Sequence, residues 1–291
     1  MKEALWYETL EEEKVRCSLC LHSCIISEGE YGICKVRKNK KGRLYSMTDG
    51  IFLAEGYDPI EKKPLAYYRP GSVIYSVGTA GCNFHCDFCQ NWQIAKDFWD
   101  LPQYKIEDEE VLRRAALEGS IGIAFTYNEP TMNYEGMLRL AKKAKNRNLI
   151  TAAVSNGSLQ EGPMRELTPF IDAWNIDLKM MDREKYKRIC GGDPETVLRN
   201  IKIAKEFGHV EVTTLLIDGV NTEEKEITTL VKRIAEIGPD IPLHFSRYFP
   251  AYKRTDLPTK IESLYKAKEI GEKYLKHIVL GNIPYEVKGR T

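Results

Sequence analysis

The sequence lacks a long apolar run and an excess of charge of either sign. No stretch approaches the roughly 20 apolar residues that span a bilayer, and charged and amphipathic residues follow Met1, so we expect neither a membrane span nor a secretory leader. The 43 Lys and Arg residues offset 42 Asp and Glu residues, which does not favour bulk binding of nucleic-acid phosphate. The sequence therefore predicts a folded, cytoplasmic protein with no membrane partner.

Cysteine is the residue type whose distribution carries most information. Seven of the eight cysteines fall into two groups, Cys17–Cys34 and Cys82–Cys89, and only Cys190 stands apart. Structural disulfides are rare in a reducing cytosol, so clustered cysteines there indicate metal binding or catalysis.

The first 70 residues differ from the rest of the chain. They contain four cysteines and a basic run, residues 35–43, which we expect at the tip of a hairpin between strands Ile33–Val36 and Leu44–Met47. A segment rich in proline and charge, Tyr57–Gly71, resembles a strap that leads into the main domain. We therefore expect a Cys-rich module with its strap over residues 1–70 and a second domain over 71–291.

From Ser72 onward, predicted strands alternate with amphipathic helices, which is typical of an α/β fold with a parallel sheet. The predicted strands are Ser72–Gly78, Ile121–Thr126, Ile150–Val154, Ala173–Leu178, Val210–Ile217 and Pro242–Tyr248, with a further one at His277–Leu280. Predicted helices include Asn133–Asn146 and Thr222–Ile237. This number of units predicts a partial (β/α)₆ TIM-like barrel, with its chemistry at the carboxyl ends of the strands.

Three cysteines, Cys82, Cys86 and Cys89, follow the first predicted strand with the spacing Cys-x3-Cys-x2-Cys on a loop with two glycines, Gly78 and Gly81. One interpretation is a zinc site with His85 as the fourth ligand. The other is a [4Fe-4S] cluster held at three corners, whose fourth iron is free to bind a small molecule.

The triad, with an aromatic residue, Phe88, directly before Cys89, resembles the signature of the radical SAM superfamily. A closer resemblance, to the radical SAM enzymes of the AmmeMemoRadiSam system (pyruvate formate-lyase activating enzyme-like), covers most of the chain. It rests on residues 17–24, 58–65, 78–84, 89–92, 125–131 and 281–284. The resemblance implies the radical SAM type of partial barrel, a [4Fe-4S] cluster on Cys82, Cys86 and Cys89, and S-adenosylmethionine (SAM) bound at its open iron.

The resemblance also implies roles for residues that follow later strands. Phe88 would lie near the adenine of SAM, and Glu129 would bind its amino group, with Asn128 shaping the turn. Ser155 and Asn156 would line the ribose and carboxylate end, where Asp177 and Lys179 would meet a cation, the carboxylate or the ribose; a structural ion pair is the alternative. Thr213 and Leu215 would face the cavity near the adenine.

Two residues have open assignments at this stage. His244 is a candidate for substrate or ribose contact, although a lone histidine in an apolar strand is more often a satisfied core residue. Cys190 is either an inert buried thiol or a hydrogen donor or cluster ligand.

The N-terminal quartet Cys17, Cys20, Cys24 and Cys34 has enough thiolates for a closed metal site, which makes His22 superfluous as a ligand. Either zinc or a second iron–sulfur cluster fits this ligand set, and of the two we favour a structural zinc ion. The basic run beside it is more typical of a solvated turn than of an RNA-binding tip.

The implied reaction is reductive cleavage of SAM to methionine and a 5′-deoxyadenosyl radical, which abstracts hydrogen from a substrate. The electron would come from a donor such as ferredoxin or flavodoxin. The substrate is either a protein, tRNA or small metabolite that is modified, or, in the alternative, a glycyl radical enzyme that this chain activates. The N-terminal position of the quartet favours the first, because activase cluster insertions usually follow the triad.

Overall fold

The computed structural model describes residues 1–117 and 119–283. Its N-terminal part is built from short antiparallel strands. They are β1 (Lys2–Glu3), β2 (Tyr7–Thr9), β3 (Val15–Cys17), β4 (Ile25–Ile26), β5 (Arg37–Lys40), β6 (Arg43–Ser46) and β7 (Ile51–Phe52). β2, β3 and β4 form one small sheet and β1, β6 and β5 another.

The predicted hairpin is present as β5 and β6, but its first strand begins at Arg37 instead of Ile33. Lys35 has a φ of 63°, which interrupts an extended strand before Arg37. Lys41 and Gly42, the two turn residues, both have positive φ, as a two-residue hairpin turn requires. The basic run is only partly solvated, because Arg37 and Asn39 are buried while Lys38 and Lys40 are half-buried.

In the rest of the chain, strands largely alternate with helices as predicted from Ser72 onward, and two further strands, Ala54–Pro59 and Tyr104–Lys105, were not predicted. The strands are β8 (Ala54–Pro59), β9 (Val73–Gly78), β10 (Tyr104–Lys105), β11 (Ser120–Phe125), β12 (Ile150–Ser155), β13 (Ala173–Asp177), β14 (His209–Leu216), β15 (Leu243–Arg247) and β16 (Ile278–Gly281). The helices are α1 (Trp92–Lys96), α2 (Asp108–Ala115), α3 (Tyr134–Lys145), α4 (Glu161–Leu167), α5 (Arg183–Cys190), α6 (Pro194–Phe207), α7 (Glu224–Ile237) and α8 (Ile261–Gly271).

Over the described ranges the main sheet has eight strands, in the order β16-β15-β14-β13-β12-β11-β9-β8. β9 and β11 to β16 are parallel, and β8 is an antiparallel edge strand paired with β9. With β8 and β16 at its two edges, this sheet forms the expected open partial barrel.

The start of the predicted strap, Tyr57–Gly71, lies in strand β8 and not in a connecting segment. Residues 54–59 pair with Val73–Gly78 and so belong to the main sheet, although they precede the expected boundary at residue 70. Gly56, Asp58 and Pro59 are poor strand formers, and an edge strand tolerates them because only one side of its backbone is paired.

Helix formation follows the apolar pattern. α7 buries Ile227, Leu230, Val231 and Ile234, which lie on one face of the helix. Asp182 caps the start of α5, where its side chain accepts a hydrogen bond from the Lys185 amide, and Gly191 follows the helix in the left-handed conformation. No helix in the described ranges is long and apolar enough to cross a membrane.

One hydrophobic cluster runs through both parts of the chain. It contains Val15 and Val36 of the N-terminal part together with Val77, Ile123 and Val212 of the main sheet. The Cys-rich region is therefore packed onto the barrel, and this packing places its cysteines beside the triad loop.

Candidate active site

A cavity of about 460 Å³ lies at the carboxyl ends of the parallel strands, a size typical of small-molecule sites. Most of the residues predicted from the sequence line it: Cys82, Cys86, Phe88, Cys89, Asn128, Glu129, Ser155, Asn156, Asp177, Lys179 and Thr213. Leu215 lines it as well. Residues from Cys82 to Leu215 thus meet in one space because parallel strands end at one edge of the sheet.

The triad loop is fixed from both sides. The Asn128 side chain accepts from the Thr79 amide (3.0 Å) and donates to the Gly81 carbonyl (2.8 Å). Gly81 has a φ of +83°, and a Cβ there would lie 2.6 Å from Val36 Cγ1 and 2.7 Å from the Cys34 carbonyl oxygen. Only glycine fits this position, so the loop lies directly against the N-terminal region.

The triad fits an iron–sulfur cluster better than a zinc ion. The three thiols line one open cavity, whereas His85 does not line it and its Nε2 lies 3.1 Å from the Arg188 carbonyl oxygen. Three thiols around a shared open space suit three corners of a larger cluster.

Burial keeps the free thiols neutral. It raises the pKa of Cys82 and of Cys89, while Cys190 together with burial holds the pKa of Cys86 well above its ordinary value. Thiolates at these positions therefore need a bound cation, which an iron–sulfur cluster provides. Cys190 is fully buried and touches this group, but it does not line the cavity.

Glu129 is held by donors from two strand ends. Its Oε1 accepts from the Thr131 hydroxyl (2.6 Å) and the Ser155 hydroxyl (2.8 Å), and its Oε2 accepts from the Asn156 amide (2.7 Å). Burial raises the pKa of Glu129 despite these donors. The turn before it includes Tyr127 with a φ of 72°, an unusual conformation for this residue type.

Asp177 and Lys179 form an ion pair, with 2.8 Å between Lys179 Nζ and Asp177 Oδ2, at the wall of the cavity. Burial lowers the pKa of Lys179, but the Asp177 carboxylate outweighs it and raises that pKa. The lysine therefore carries a positive charge beside the triad. Thr213 donates to Asn175 Oδ1 (3.0 Å) on the neighbouring strand.

His244 does not line the cavity, in contrast to its predicted substrate or ribose contact. Its Nε2 lies 2.6 Å from Glu211 Oε2 in the interior of the barrel. Glu211 also accepts from the Ala66 and Tyr67 amides and meets His209. Although burial acts to raise it, these partners lower the pKa of Glu211 to about 2. The histidine is therefore a satisfied interior residue, placed near the start of β15 and not at its carboxyl end.

One side of the cavity is lined by charged residues that were not among the site residues predicted from the sequence. Asp58, Lys62, Lys63 and Tyr127 line it. Asp58 accepts from Lys63 (2.7 Å) and from the Tyr127 hydroxyl (2.9 Å), and despite burial these bonds lower its pKa to about 2. The only sequence signal was the resemblance over residues 58–65, because long-range packing of β8 brings this segment to the cavity.

The N-terminal quartet lines a second, much smaller cavity. Cys17, Cys20, Cys24 and Cys34 share it with apolar side chains and Arg37. Burial raises the pKa of Cys17 and Cys34, the latter to about 11. The ring nitrogen of His22 instead lies 2.9 Å from the Asn83 carbonyl oxygen, and His22 does not line this cavity.

This arrangement of a cysteine triad, a buried glutamate and charged groups at the open end of a partial barrel belongs to the radical SAM superfamily. The model of that superfamily matches residues 76–231, so the chain is a member and an enzyme of this class. Its members use a [4Fe-4S] cluster and SAM, and the triad and cavity fit both.

The chain is similar to several individual proteins. The Methanocaldococcus jannaschii protein MJ0808 is 39% identical over 289 residues, which are 98% of this chain and 86% of that protein. The 4-hydroxyphenylacetate decarboxylase activating enzyme of Clostridium scatologenes is 28% identical over 114 residues, 38% of this chain and 36% of that enzyme. The crystal structure of Streptococcus suis SuiB bound to S-adenosylmethionine shares the fold, with a TM-score of 0.54 and 16% identity over 69% of this chain and 47% of SuiB.

Proposed function

We propose that this chain cleaves SAM reductively in the 460 Å³ cavity and uses the resulting radical to abstract hydrogen from a substrate that enters from the Asp58 side. The observation that carries the proposal is the meeting of Cys82, Cys86 and Cys89 with Glu129 and Lys179 around one cavity. When bound and reduced, the cluster supplies the electron that breaks a carbon–sulfur bond of SAM, which yields methionine and a 5′-deoxyadenosyl radical.

Glu129 is suited to bind the amino group of SAM. Thr131, Ser155 and Asn156 hold both of its oxygens in place, so the carboxylate does not have to be ordered when an ammonium group arrives. A carboxylate accepts charge-assisted hydrogen bonds from an ammonium group. An ammonium partner also stabilises the ionised form of this buried carboxylate, whose pKa burial raises.

Lys179 and Asp177 are suited to the other polar groups of SAM. The lysine is charged and lies on the cavity wall, so it can pair with the carboxylate of SAM or donate to its ribose. Phe88 and Leu215 offer apolar surface to the adenine, with the Thr213 hydroxyl beside them. Asn128 and Asn156 act mainly on the protein, since Asn128 holds the triad loop and Asn156 donates to Asn83 Oδ1 (2.8 Å).

The walls of the cavity limit access of water to the reacting atoms. Phe84, Phe88 and Ala95 are each at most 5% exposed. Such walls protect a reactive intermediate from side reactions with solvent.

The substrate is a protein, a tRNA or a small metabolite that leaves as a stable product. Asp58, Lys62 and Lys63 give one wall of the cavity charges of both signs for its recognition. An electron donor such as ferredoxin or flavodoxin completes the reaction.

The test is anaerobic incubation of the reduced protein with SAM and fractionated cell extract. We expect 5′-deoxyadenosine to form, and its rate to rise with the fraction that contains the substrate. Absence of SAM cleavage with every fraction and reductant would overturn the proposal.

A second candidate is an activase that places a glycyl radical on a partner enzyme, which the similarity to a decarboxylase activating enzyme favours. The two candidates differ in where the unpaired electron ends. An activase would leave a persistent glycyl radical signal in electron paramagnetic resonance (EPR) spectra of the stimulating fraction. A modifying enzyme would leave a diamagnetic product with a changed mass.

A further inference from the structure

Cys190 is the solitary thiol of the sequence, and the structure restricts the roles that are open to it. It is fully buried and does not line the cavity onto which the triad opens. A hydrogen donor to a substrate has to reach that cavity, and so does a fourth ligand of a cluster held by the triad. Cys190 therefore serves neither role from its position, which leaves contact with the triad from behind.

The end of α5 holds Cys190 against the triad loop. The Cys190 carbonyl accepts a hydrogen bond from the His85 amide (2.8 Å), and His85 Nε2 lies 3.1 Å from the Arg188 carbonyl oxygen. Tyr186 of the same helix meets the Phe84 ring edge to face, with 5.9 Å between the ring centroids. Backbone and side-chain contacts thus fix the last turn of α5 on the loop that carries the triad.

The side chain of Cys190 is in hydrogen-bonding contact with the Cys86 thiol. Cys82 has a donor of a different kind, since its Sγ accepts from the Phe84 amide of its own loop (3.4 Å). Cys86 is a thiolate when it holds iron, and a thiolate has no hydrogen to donate. The hydrogen of this contact therefore comes from the S–H group of Cys190, which is a weak donor.

A donor at this sulfur acts on the ease of reduction. Hydrogen bonds to the sulfurs are among the properties that set the reduction potential of an iron–sulfur cluster. Reduction adds negative charge to the cluster and its thiolates, so a hydrogen bond to one of them stabilises the reduced form more than the oxidised form. Because reductive cleavage of SAM requires a reduced cluster, a donor to Cys86 favours the state that the reaction needs.

We propose that Cys190 is a positioning residue whose S–H group donates a hydrogen bond to the Cys86 thiolate and raises the midpoint potential of the triad cluster. The proposal rests on the cluster that members of this superfamily use, and not on the identity of the substrate. Its test needs neither SAM nor turnover, so it can fail while the proposed function stands.

Cys190→Ala and Cys190→Ser form a matched pair. Both replace the thiol with a smaller side chain, but only serine keeps a donor at this position. The full chain is reconstituted anaerobically with iron and sulfide, and its reduction is followed by EPR at a series of potentials. The signal of the triad is the one that is absent when Cys82, Cys86 and Cys89 are replaced by alanine.

We expect C190A to bind as much iron as the unaltered protein and to have a more negative midpoint potential. A decrease of about twofold or more in the equilibrium constant for reduction corresponds to about 18 mV or more for a one-electron couple. C190S should return toward the potential of the unaltered protein.

Equal potentials in C190A and the unaltered protein would overturn the proposal. A C190S potential as negative as that of C190A would also overturn it, because altered packing and not a lost donor would then be the cause. Failure of the unaltered protein to bind iron at the triad would overturn the proposed function together with this proposal.

Infrared spectra provide a second measurement if C190A does not bind the cluster. In the difference spectrum between the unaltered protein and C190S, both loaded with iron, the S–H stretching band of Cys190 should lie at the lowered frequency of a hydrogen-bonded thiol. A band at the frequency of a free thiol, or no band, would overturn the proposal.

Discussion

The triad lies on a loop, and the quartet region lies directly behind that loop. The two groups of cysteines nevertheless have opposite surroundings. The triad opens onto a cavity of about 460 Å³ lined by charged and amide side chains. The quartet faces a cavity of about 10 Å³ closed by apolar residues and one arginine. Cysteine spacing alone does not distinguish a reactive centre from a closed one. The size and polarity of the space beyond the thiols make that distinction.

Replacement of the triad should produce the largest effect. With Cys82, Cys86 and Cys89 changed to alanine, we expect no detectable 5′-deoxyadenosine, because no iron remains at the open site. The matched variant, Cys17→Ala with Cys20→Ala, should instead lower the thermal midpoint of unfolding, since these thiols lie in a closed, buried centre. If the triad variant and the Cys17/Cys20 variant both fold well and lose SAM cleavage equally, the two groups of cysteines do not differ in function.

Glu129→Gln should have the next largest effect, and it acts only at the open site. The change preserves the shape of the side chain but removes its charge, so affinity for SAM should fall by about 10- to 150-fold, which corresponds to about 1.5–3 kcal/mol. Equilibrium binding measured anaerobically tests this. Ser155→Ala, which removes one donor to the carboxylate and leaves its charge, should cause a smaller loss. An unchanged affinity in E129Q would remove Glu129 from the SAM site.

Glu211 extends the comparison to a buried carboxylate that lines neither of the two cavities. Its pKa is about 2 in the folded protein against an ordinary value of 4.5, so it contributes stability above pH 4.5 that is lost as pH falls toward 2. The full contribution is about 3 kcal/mol. The difference in thermal midpoint between the unaltered protein and E211Q should shrink as pH falls from 5 to 3, with Glu184→Gln as the exposed control.

SAM cleavage at neutral pH should survive both H244Q and E211Q, because neither side chain lines the cavity. If H244Q keeps its fold but binds SAM more weakly, His244 contributes to SAM binding after all.

Asn83→Ala should have the smallest effect. The Asn83 side chain contacts Cys20 of the quartet, and Asn83 directly follows Cys82 of the triad. It removes hydrogen bonds to Ser158 Oγ (2.7 Å) and from Asn156 (2.8 Å), at a cost of about 1–3 kcal/mol in the free energy of unfolding. The measurement is anaerobic denaturant unfolding, with the exposed Asn146→Ala as control. Identical stability of the two variants would mean that these two hydrogen bonds of Asn83 do not stabilise the fold.

The sequence was most informative where function depends on local pattern. Alternation of apolar segments located the parallel strands, and the rule that chemistry gathers at strand ends brought Glu129, Ser155 and Lys179 to the cavity. The same reasoning failed to locate His244, because its partner Glu211 lies on the adjacent strand and strand pairing is not visible in one sequence. Asp58 and Lys63 escaped for a related reason, since an irregular edge strand with glycine and proline carries no clear strand pattern.

The fit of Gly81 against Val36 and the Cys34 carbonyl has a consequence for how this protein can vary. Any side chain at position 81 would collide with the neighbouring region, so changes in that region and in the triad loop have to be compatible with each other. A chimera that combines the N-terminal region of one relative with the barrel of another should tolerate surface differences but not a shifted backbone at this contact. We therefore expect the triad loop and the region behind it to change together among relatives.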